Sequence, residues 1–293
     1  MTVKHQPTDL AYDHCRKIAS EHYENFPVGS ILVPSNKRKY IYSVYAFARY
    51  ADDIADSPTL QKSEKIRRLR LLEAELSKIE ENNSKSFREN TKLIFEALED
   101  TINAVGIPVQ EFRDLLSAFR QDSEEMLYEN FNQLIDYSSR SANPIGHIVL
   151  NVFGYHKEEN IEMFQLSDEI CTALQLTNFW QDVSEDLKMN RVYVPNDFMA
   201  KHKYSIDELN SKSENDNFRD MIKDLCQMTE KLFVHGSKLP ELTKGRLKFE
   251  LRATINGGRM ILKKISEMDY RVLSKRPKLT TFDKFTIILK AFV

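Results

Sequence analysis

The segment YAFARYADDIADSP, residues 45–58, decides the fold class of this chain. Its apolar residues recur at three- and four-residue steps, as on a helix that packs on several sides. Asp52, Asp53 and Asp56 lie among them, and Arg49 precedes them by about one turn. Aspartate has a low helix propensity and is rarely buried without a partner. The segment therefore predicts a packed helix whose aspartates are neutralised by a cation or a bound ligand.

The composition favours an all-helical protein. The 293 residues include only 8 Gly and 9 Pro, which disfavours all-β folds and glycine-rich nucleotide-binding folds. Similar helical periodicity occurs in 66–79, 91–105 and 111–127. We expect roughly ten to twelve helices. With no long linker in the sequence, we also expect a single domain that spans residues 1–293.

Proline, glycine and polar clusters predict where these helices end. The expected breaks are Pro34 with Ser35, Pro58, 81–86, 106–108, 191–195 and 210–216. Pro144 and Gly146 should kink or open a further helix. The amphipathic segment FDKFTIILKAFV, residues 282–293, should pack on the other helices, and contact with a membrane is the alternative.

Charge and cysteine content exclude several classes of protein. The 42 Lys and Arg balance 44 Asp and Glu, so there is no overall basic field for nucleic acid. Cys15, Cys171 and Cys226 lack paired or metal-type spacing and should be free thiols in a reducing cytoplasm. The first residues lack the apolar stretch of a secretory signal, and no run of about 18 apolar residues occurs. We expect a cytoplasmic protein that is soluble or associated with a membrane surface.

Two polar stripes carry the chemistry. On a helix, Tyr45, Arg49, Asp52 and Asp56 fall within an arc of about 60°. The segment CTALQLTNFWQDVSEDLKMNRVYVP, residues 171–195, repeats the pattern. The second stripe consists of Gln175, Asn178, Asp182 and Asp186. A single pair of aspartates one turn apart is often only a solvated helix face, but two such stripes in apolar surroundings favour a binding site.

The donor types in these stripes predict the ligand. Oxygen donors from carboxylates and amides select Mg²⁺, which commonly bridges protein carboxylates to a substrate phosphate. The candidate metal ligands are Asp52, Asp53, Asp56, Asn178, Asp182 and Asp186. Arg49 and Arg191 are candidate phosphate ligands, with simple ion pairs as the alternative. The apolar surroundings fit a pocket for a hydrocarbon chain, which Tyr42, Tyr45, Phe26 and Tyr137 would line if they are not ordinary core residues.

The motifs YAFARYADDIAD, residues 45–56, and LQLTNFWQDVSEDLKMNRVYVP, residues 174–195, resemble the squalene/phytoene synthase family. That family consists of all-α isoprenoid synthase folds, in which two aspartate-rich helices flank a central pocket. HYENFPVGSILVP, AFRQD and DYSSRSANPIG resemble its bacterial hopanoid-pathway branch, hydroxysqualene synthase. The resemblance implies an enzyme that converts presqualene diphosphate and water into hydroxysqualene and diphosphate. It also implies Mg²⁺, as two or three ions bound with the diphosphate, and no NADPH.

The resemblance also assigns roles to individual residues. It implies that Asp52, Asp56, Asp182 and Asp186 hold Mg²⁺ and that Asn178 and Gln175 support the metal. It implies that Arg49 and Arg191 contact the diphosphate. The carbocation chemistry itself makes Tyr45 a candidate for the lining beside the reacting carbon, and makes Asn143 or Gln181 a candidate to position the water.

One departure from the family bears on the branch. Condensing members commonly have Arg immediately before the first Asp of the second motif, where this chain has Gln181. Two alternatives stay open: condensation of two farnesyl or geranylgeranyl diphosphates to presqualene diphosphate, squalene or phytoene, and a non-enzymatic helical protein that binds Mg²⁺ or lipid. The expected partner is a prenyl diphosphate, and the sequence leaves open a membrane surface and a homodimer.

Overall fold

The computed structural model describes residues 7–21, 33–81, 83, 86–124 and 127–292. These residues form helices and no β-strand; one isolated bridge joins Leu127 and Val192. The helices are α1 (Pro7–Glu21), α2 (Ser35–Ala55), α3 (Lys62–Glu80), α4 (Lys92–Val105), α5 (Val109–Asp122), α6 (Phe131–Ser141), α7 (Asn143–Val152), α8 (Ile161–Asp186), α9 (Asn196–Lys201), α10 (Ile206–Asn210), α11 (Asp216–Gly236), α12 (Leu239–Leu242), α13 (Arg246–Glu267) and α14 (Thr281–Ala291). The all-α prediction is confirmed.

Helix ends fall at the predicted breaks. Pro34 has extended backbone, so α2 begins at Ser35. Gly106 ends α4 in the left-handed conformation, with φ 68°, which costs glycine little. The predicted number of helices was too low, because α9, α10 and α12 are each six residues or shorter and show no clear periodicity. The pattern in 111–127 also predicted too long a helix, since α5 ends at Asp122.

The predicted interruption at Pro144 is confirmed. α6 ends at Ser141, Ala142 has non-helical backbone, and α7 begins at Asn143. Proline lacks the N–H that a helix interior requires, but the first turn of a helix tolerates it. The chain therefore starts a new helix at this point.

The chain forms two compact units. The first contains Met1–Glu124 and Pro144–Asn160, and the second contains Glu125–Asn143 and Ile161–Val293. We describe each by itself, and the single-domain organisation stays a prediction.

In the first unit, α2 packs against α1, α3, α4 and α5. Phe47 is buried on α2 and contacts Phe95 and Phe112 edge-on, with ring centroids 5.8 Å and 5.4 Å away. Such edge-to-face packing is favourable for aromatic rings. One face of α2 is thereby fixed in the core, which orients the other face.

In the second unit, α8 packs against α6, α11, α12 and α13. Trp180 is fully buried on α8, and its indole N–H donates a 2.8 Å hydrogen bond to the Thr229 hydroxyl on α11. A buried indole N–H without a partner would be costly, so this bond sets the rotation of α8.

The C-terminal helix packs as the sequence predicts. α14 lies on α13 with Ile287 and Ala291 buried. Thr280 and Asp283 form a capping box at its start, and Lys264 on α13 pairs with Asp283 at 2.7 Å. These bonds hold the pKa of Asp283 well below its usual range, at about 2. The first turn of α14 is thus fixed to α13.

Two further expectations concern the cysteines and the membrane. Cys15, Cys171 and Cys226 are free thiols, and burial raises the pKa of Cys15 to about 12. Thiols of this kind are poor nucleophiles.

Within the described ranges, no helix has both the length and the apolar character needed to span a bilayer.

Two adjacent glycines of α13 test this packing. A Cβ on Gly258 would collide with Phe233 and lie 2.9 Å from Leu174, whereas a Cβ on Gly257 would meet nothing within 4 Å. We expect Gly258→Ala to lower the free energy of unfolding by about 1–3 kcal/mol, as overpacked cores do. Gly257→Ala should raise it by about 0.5–1 kcal/mol, because alanine favours the helix. Thermal and urea unfolding measure both, and equal effects of the two variants would contradict the packing.

Candidate functional site

The first polar stripe lies on α2, in the first unit. Arg49 lies 2.7 Å from Asp53 and 3.6 Å from Asp52, measured between guanidinium nitrogen and carboxylate oxygen. Asp53 and Asp56 are exposed, and Asp52 is half-buried. Asp56 is the C-terminal cap of the helix, and its N–H donates to the carbonyl of Asp52 at 2.8 Å. Arg49 therefore supplies part of the positive charge that the sequence predicts beside these aspartates.

One group on α2 keeps capacity for a ligand. The Nε of Arg49 is buried and has no hydrogen-bond acceptor among the described residues. Tyr45 lies one turn earlier and is half-buried. Desolvation raises the pKa of Tyr45 further above physiological pH, and its phenol is neutral. This end of α2 therefore places an N–H donor without an acceptor beside the carboxylates.

The second polar stripe lies on α8, in the second unit. Gln175, Asp182 and Asp186 are half-buried, and Asn178 is exposed. The neighbouring Glu185 turns to Lys188, with oxygen and nitrogen 2.7 Å apart, and this hydrogen bond lowers its pKa. The carboxylates of the stripe itself are therefore Asp182 and Asp186.

Sequence analysis missed the cation that pairs with Asp182. Arg276 donates from Nε and from Nη2 to the two carboxylate oxygens of Asp182, the second bond being 3.0 Å long. This bidentate bond raises the pKa of Arg276. The two residues are 94 positions apart, and Arg276 lies in an irregular segment. No periodic pattern marks such a contact.

The segment that carries Arg276 is the connection between α13 and α14, residues 268–280. Its backbone N–H groups at Leu273 and Ser274 both donate to Glu214, at 2.7 Å and 3.0 Å. Gln181 on α8 donates its side-chain N–H to the carbonyl of Pro277 at 2.7 Å. The bonds to Glu214 fix the connection to the segment before α11, and the bond from Gln181 fixes it to α8, where Arg276 meets Asp182.

The predicted water-positioning residues have structural partners. Gln181 is buried and its amide N–H donates to the carbonyl of Pro277, so this side chain has a structural role in holding the connection before α14. Asn143 is buried, and its carbonyl oxygen accepts a 3.1 Å hydrogen bond from Thr172. Their roles toward water stay predictions.

Arg191 lies close to the second stripe along the chain. After α8, a single 3₁₀ turn and Asn190 in the left-handed conformation, with φ 56°, reverse the backbone. The N–H of Arg191 then donates to the carbonyl of Asp186 at 2.9 Å. The half-buried Arg191 side chain therefore starts beside the end of the stripe.

The aromatic candidates divide into three groups. Tyr137 is buried in a cluster with Phe179 and Tyr193, whose rings stack 3.8 Å apart, so it is a core residue. Tyr42 is half-buried and packs against the core of the first unit. Phe26 lies outside the described residues, as does most of the motif in 22–34.

The donor set of each stripe fits Mg²⁺. In the part of the chain that the structure describes, no three side chains of His, Cys, Asp or Glu gather into a closed metal cluster. Mg²⁺ does not require such a cluster, because it is usually held by one or two carboxylates, waters and substrate phosphates. Carboxylate and amide oxygens at successive turns of α2 and α8 supply that kind of partial shell.

A family profile described as squalene/phytoene synthase matches residues 19–283. The chain belongs to the squalene/phytoene synthase family. A relative from Sinorhizobium fredii named hydroxysqualene synthase is 35% identical over 243 residues, which is 82% of this chain and 79% of the relative. A protein of the same name from Rhodopseudomonas palustris is 33% identical over 78% of this chain and 74% of its own length.

Solved structures agree with this membership. The squalene synthase HpnC from Alicyclobacillus acidocaldarius is 33% identical, with a TM-score of 0.82 over 90% of this chain and 95% of that protein. A dehydrosqualene synthase is only 21% identical and has a TM-score of 0.84 over 98% of both chains, which shows the fold alone. The predicted isoprenoid synthase fold is confirmed.

The pair of Arg276 and Asp182 can be tested by stability. Arg276→Gln removes a bidentate cation from a half-buried carboxylate and should lower the free energy of unfolding by about 1 kcal/mol, since solvent screens part of the interaction. Arg271→Gln, in the same connection but with a weaker 3.7 Å contact to Asp269, should change it by less than about 0.5 kcal/mol. A double-mutant cycle with Asp182→Asn that gives no coupling would contradict the pairing.

Proposed function

We propose that this protein ionises presqualene diphosphate with the help of Mg²⁺ and captures water to give hydroxysqualene and diphosphate, in the formation of squalene and hopanoids. The observation that carries the proposal is similarity over about four fifths of the chain to proteins named hydroxysqualene synthase. The carbon–oxygen bond to the diphosphate breaks, the oxygen of water bonds to the carbocation, and one proton leaves.

The proposed metal ligands are the stripe carboxylates. Asp52 and Asp56 on α2 and Asp182 and Asp186 on α8 would hold Mg²⁺, with Asp53 as a further α2 ligand. Asn178 and Gln175 would support the metal through their amide oxygens. When bound, Mg²⁺ supplies positive charge to a diphosphate that becomes more negative as it leaves.

Arginines would bind the diphosphate oxygens. A guanidinium presents paired N–H donors that match phosphate geometry. Arg49 and Arg191 are the candidates from the sequence, and Arg276 is a further candidate because its guanidinium is fixed beside the second stripe. The carboxylates of Asp53 and Asp182 accept from Arg49 and Arg276 respectively.

The carbocation would need neutral neighbours. A basic side chain or stray water would react with it too early, so an apolar and aromatic environment favours the intended product. Tyr45 suits this place because its pKa is raised and its phenol is uncharged.

Water would be held by amide groups. One N–H of Gln181 donates to the Pro277 carbonyl, so its carbonyl oxygen would accept a hydrogen bond from the water and orient it. Asn143, whose carbonyl oxygen accepts from Thr172, is the alternative residue for this role. A neutral Gln181 also leaves this position without the cation that condensing relatives carry, which favours ionisation of one diphosphate over the joining of two.

The reaction is tested by product analysis. With Mg²⁺ present, the protein should convert presqualene diphosphate to hydroxysqualene that carries the oxygen label of ¹⁸O-water, as measured by mass spectrometry. It should convert farnesyl diphosphate poorly. Rapid turnover of farnesyl diphosphate alone would contradict the branch, and no turnover of either substrate would favour the non-enzymatic alternative.

Adjacent carboxylates on α8 provide a matched test of the metal role. Asp186→Asn should lower turnover of presqualene diphosphate roughly a hundredfold or more, because the leaving group loses its counter-charge. It should also reduce the rise in melting temperature that Mg²⁺ and inorganic diphosphate produce together. Glu185→Gln, whose carboxylate pairs with Lys188 in the native chain, should leave both measurements close to native. Equal losses in the two variants would contradict the assignment of Asp186.

A further inference from the structure

The outward face of α14 is a largely apolar surface. Ile287 and Ala291 pack inward on α13, and the opposite side exposes four large apolar side chains. They are Phe282, Phe285, Ile288 and Leu289, each more than half exposed. Phe292, just after the helix, is also more than half exposed, but its ring stacks on Phe249 of α13 with the centroids 4.7 Å apart. At 100° per residue the four helix positions span about 120°. Single exposed apolar residues are common, but a cluster of four on one helix face marks an interaction surface.

The charges at the edges of this face have one sign. Lys284 lies next to Ile288 on one edge and Lys290 lies toward the other, and both are exposed. Neither has a carboxylate within 4 Å among the residues that the structure describes. The acidic residue of α14, Asp283, is turned inward to Lys264 and Thr280. The outward face of α14 therefore carries apolar side chains between lysines and no carboxylate.

A cavity of about 480 Å³ adjoins α14 in the same unit. Residues of α11, α13, α14 and the connection before α14 line it, among them Glu230, Arg259, Lys263 and Lys290. Arg259 pairs with Glu230 and Lys263 lies 3.5 Å from Glu267, whereas Lys290 has no carboxylate within 4 Å in the described structure. Lys290 is therefore the cation of this cavity that would meet a lipid phosphate without loss of an ion pair.

We propose that α14 is an interfacial helix that lies in the surface of an anionic lipid bilayer. Its phenylalanines and isoleucine would enter the boundary of the acyl chains, and Lys284 and Lys290 would contact lipid phosphates. This arrangement, apolar in the centre and basic at the edges, is typical of helices that lie in the plane of a membrane. A second copy of the chain fits the face less well, because a two-fold interface would bring two lysine-edged surfaces together without carboxylates to pair with them.

Vesicle binding tests this surface on the full chain. We expect it to co-sediment with vesicles of equal parts phosphatidylcholine and phosphatidylglycerol, and more weakly with phosphatidylcholine alone. Ile288→Asp should reduce binding about tenfold or more, because it places a carboxylate in the apolar face. Ile161→Asp is the matched control, since Ile161 is 54% exposed and Ile288 is 55% exposed. It should bind like the native chain.

The lysines are tested separately. The double variant Lys284→Gln with Lys290→Gln should lose about tenfold in binding to the anionic vesicles and little in binding to phosphatidylcholine, since it removes charge and keeps the apolar face. Melting temperatures close to native would show that each variant is folded.

Three results would overturn the proposal. The first is that the native chain does not bind anionic vesicles. The second is that the Ile288→Asp and Ile161→Asp variants bind these vesicles equally well. The third is that analytical ultracentrifugation shows a dimer which Ile288→Asp converts to a monomer, while vesicle binding is absent. That result would assign the face to a second copy of the chain. None of these results depends on whether presqualene diphosphate is turned over.

Discussion

Carboxylates on helices that are otherwise packed need a positive charge beside them, and an arginine meets this requirement on both α2 and α8. In the first unit Arg49 supplies the charge from the same helix, one turn away from Asp52 and Asp53. In the second unit Arg276 supplies it from a distant part of the chain. The first solution is local and visible in the sequence, whereas the second requires the tertiary structure. Both leave the aspartates partly accessible, which a metal-binding role demands.

The sequence predicted most of the helical framework. The breaks at Ser35, Gly106 and Pro144 were identified because proline and glycine act on the backbone locally. Periodicity failed where it has too few residues to show, as in α9, α10 and α12, and where a helix stops without a strong signal, as at Asp122. Local rules determine where long helices run, and short helices depend on what they pack against.

The candidate site was predictable only in part, for the same reason. The stripes on α2 and α8 have helical spacing, so their residues could be named from the sequence. Arg276 could not, because it comes from an irregular connection fixed by Glu214 and Gln181. The sequence predicts Gln181 as a candidate to position water beside Asp182, and its hydrogen bond to Pro277 is a structural role that helical spacing does not predict. For this site, the sequence therefore predicts the residues on long helices but not the contacts made by residues in the connections between helices.

The connection between α13 and α14 links two features that otherwise look independent. Within this connection, Pro277 accepts a hydrogen bond from Gln181 and Arg276 donates to Asp182. Three residues after Pro277, the capping box at Thr280 begins α14. The segment therefore fixes the cation at the α8 stripe and also the first turn of the helix with the exposed apolar face. A change that loosens the connection, such as loss of the bonds to Glu214, would affect the arginine and α14 together. A substitution on the outward face of α14 touches none of these bonds, so the surface can be altered while the α8 stripe keeps its cation.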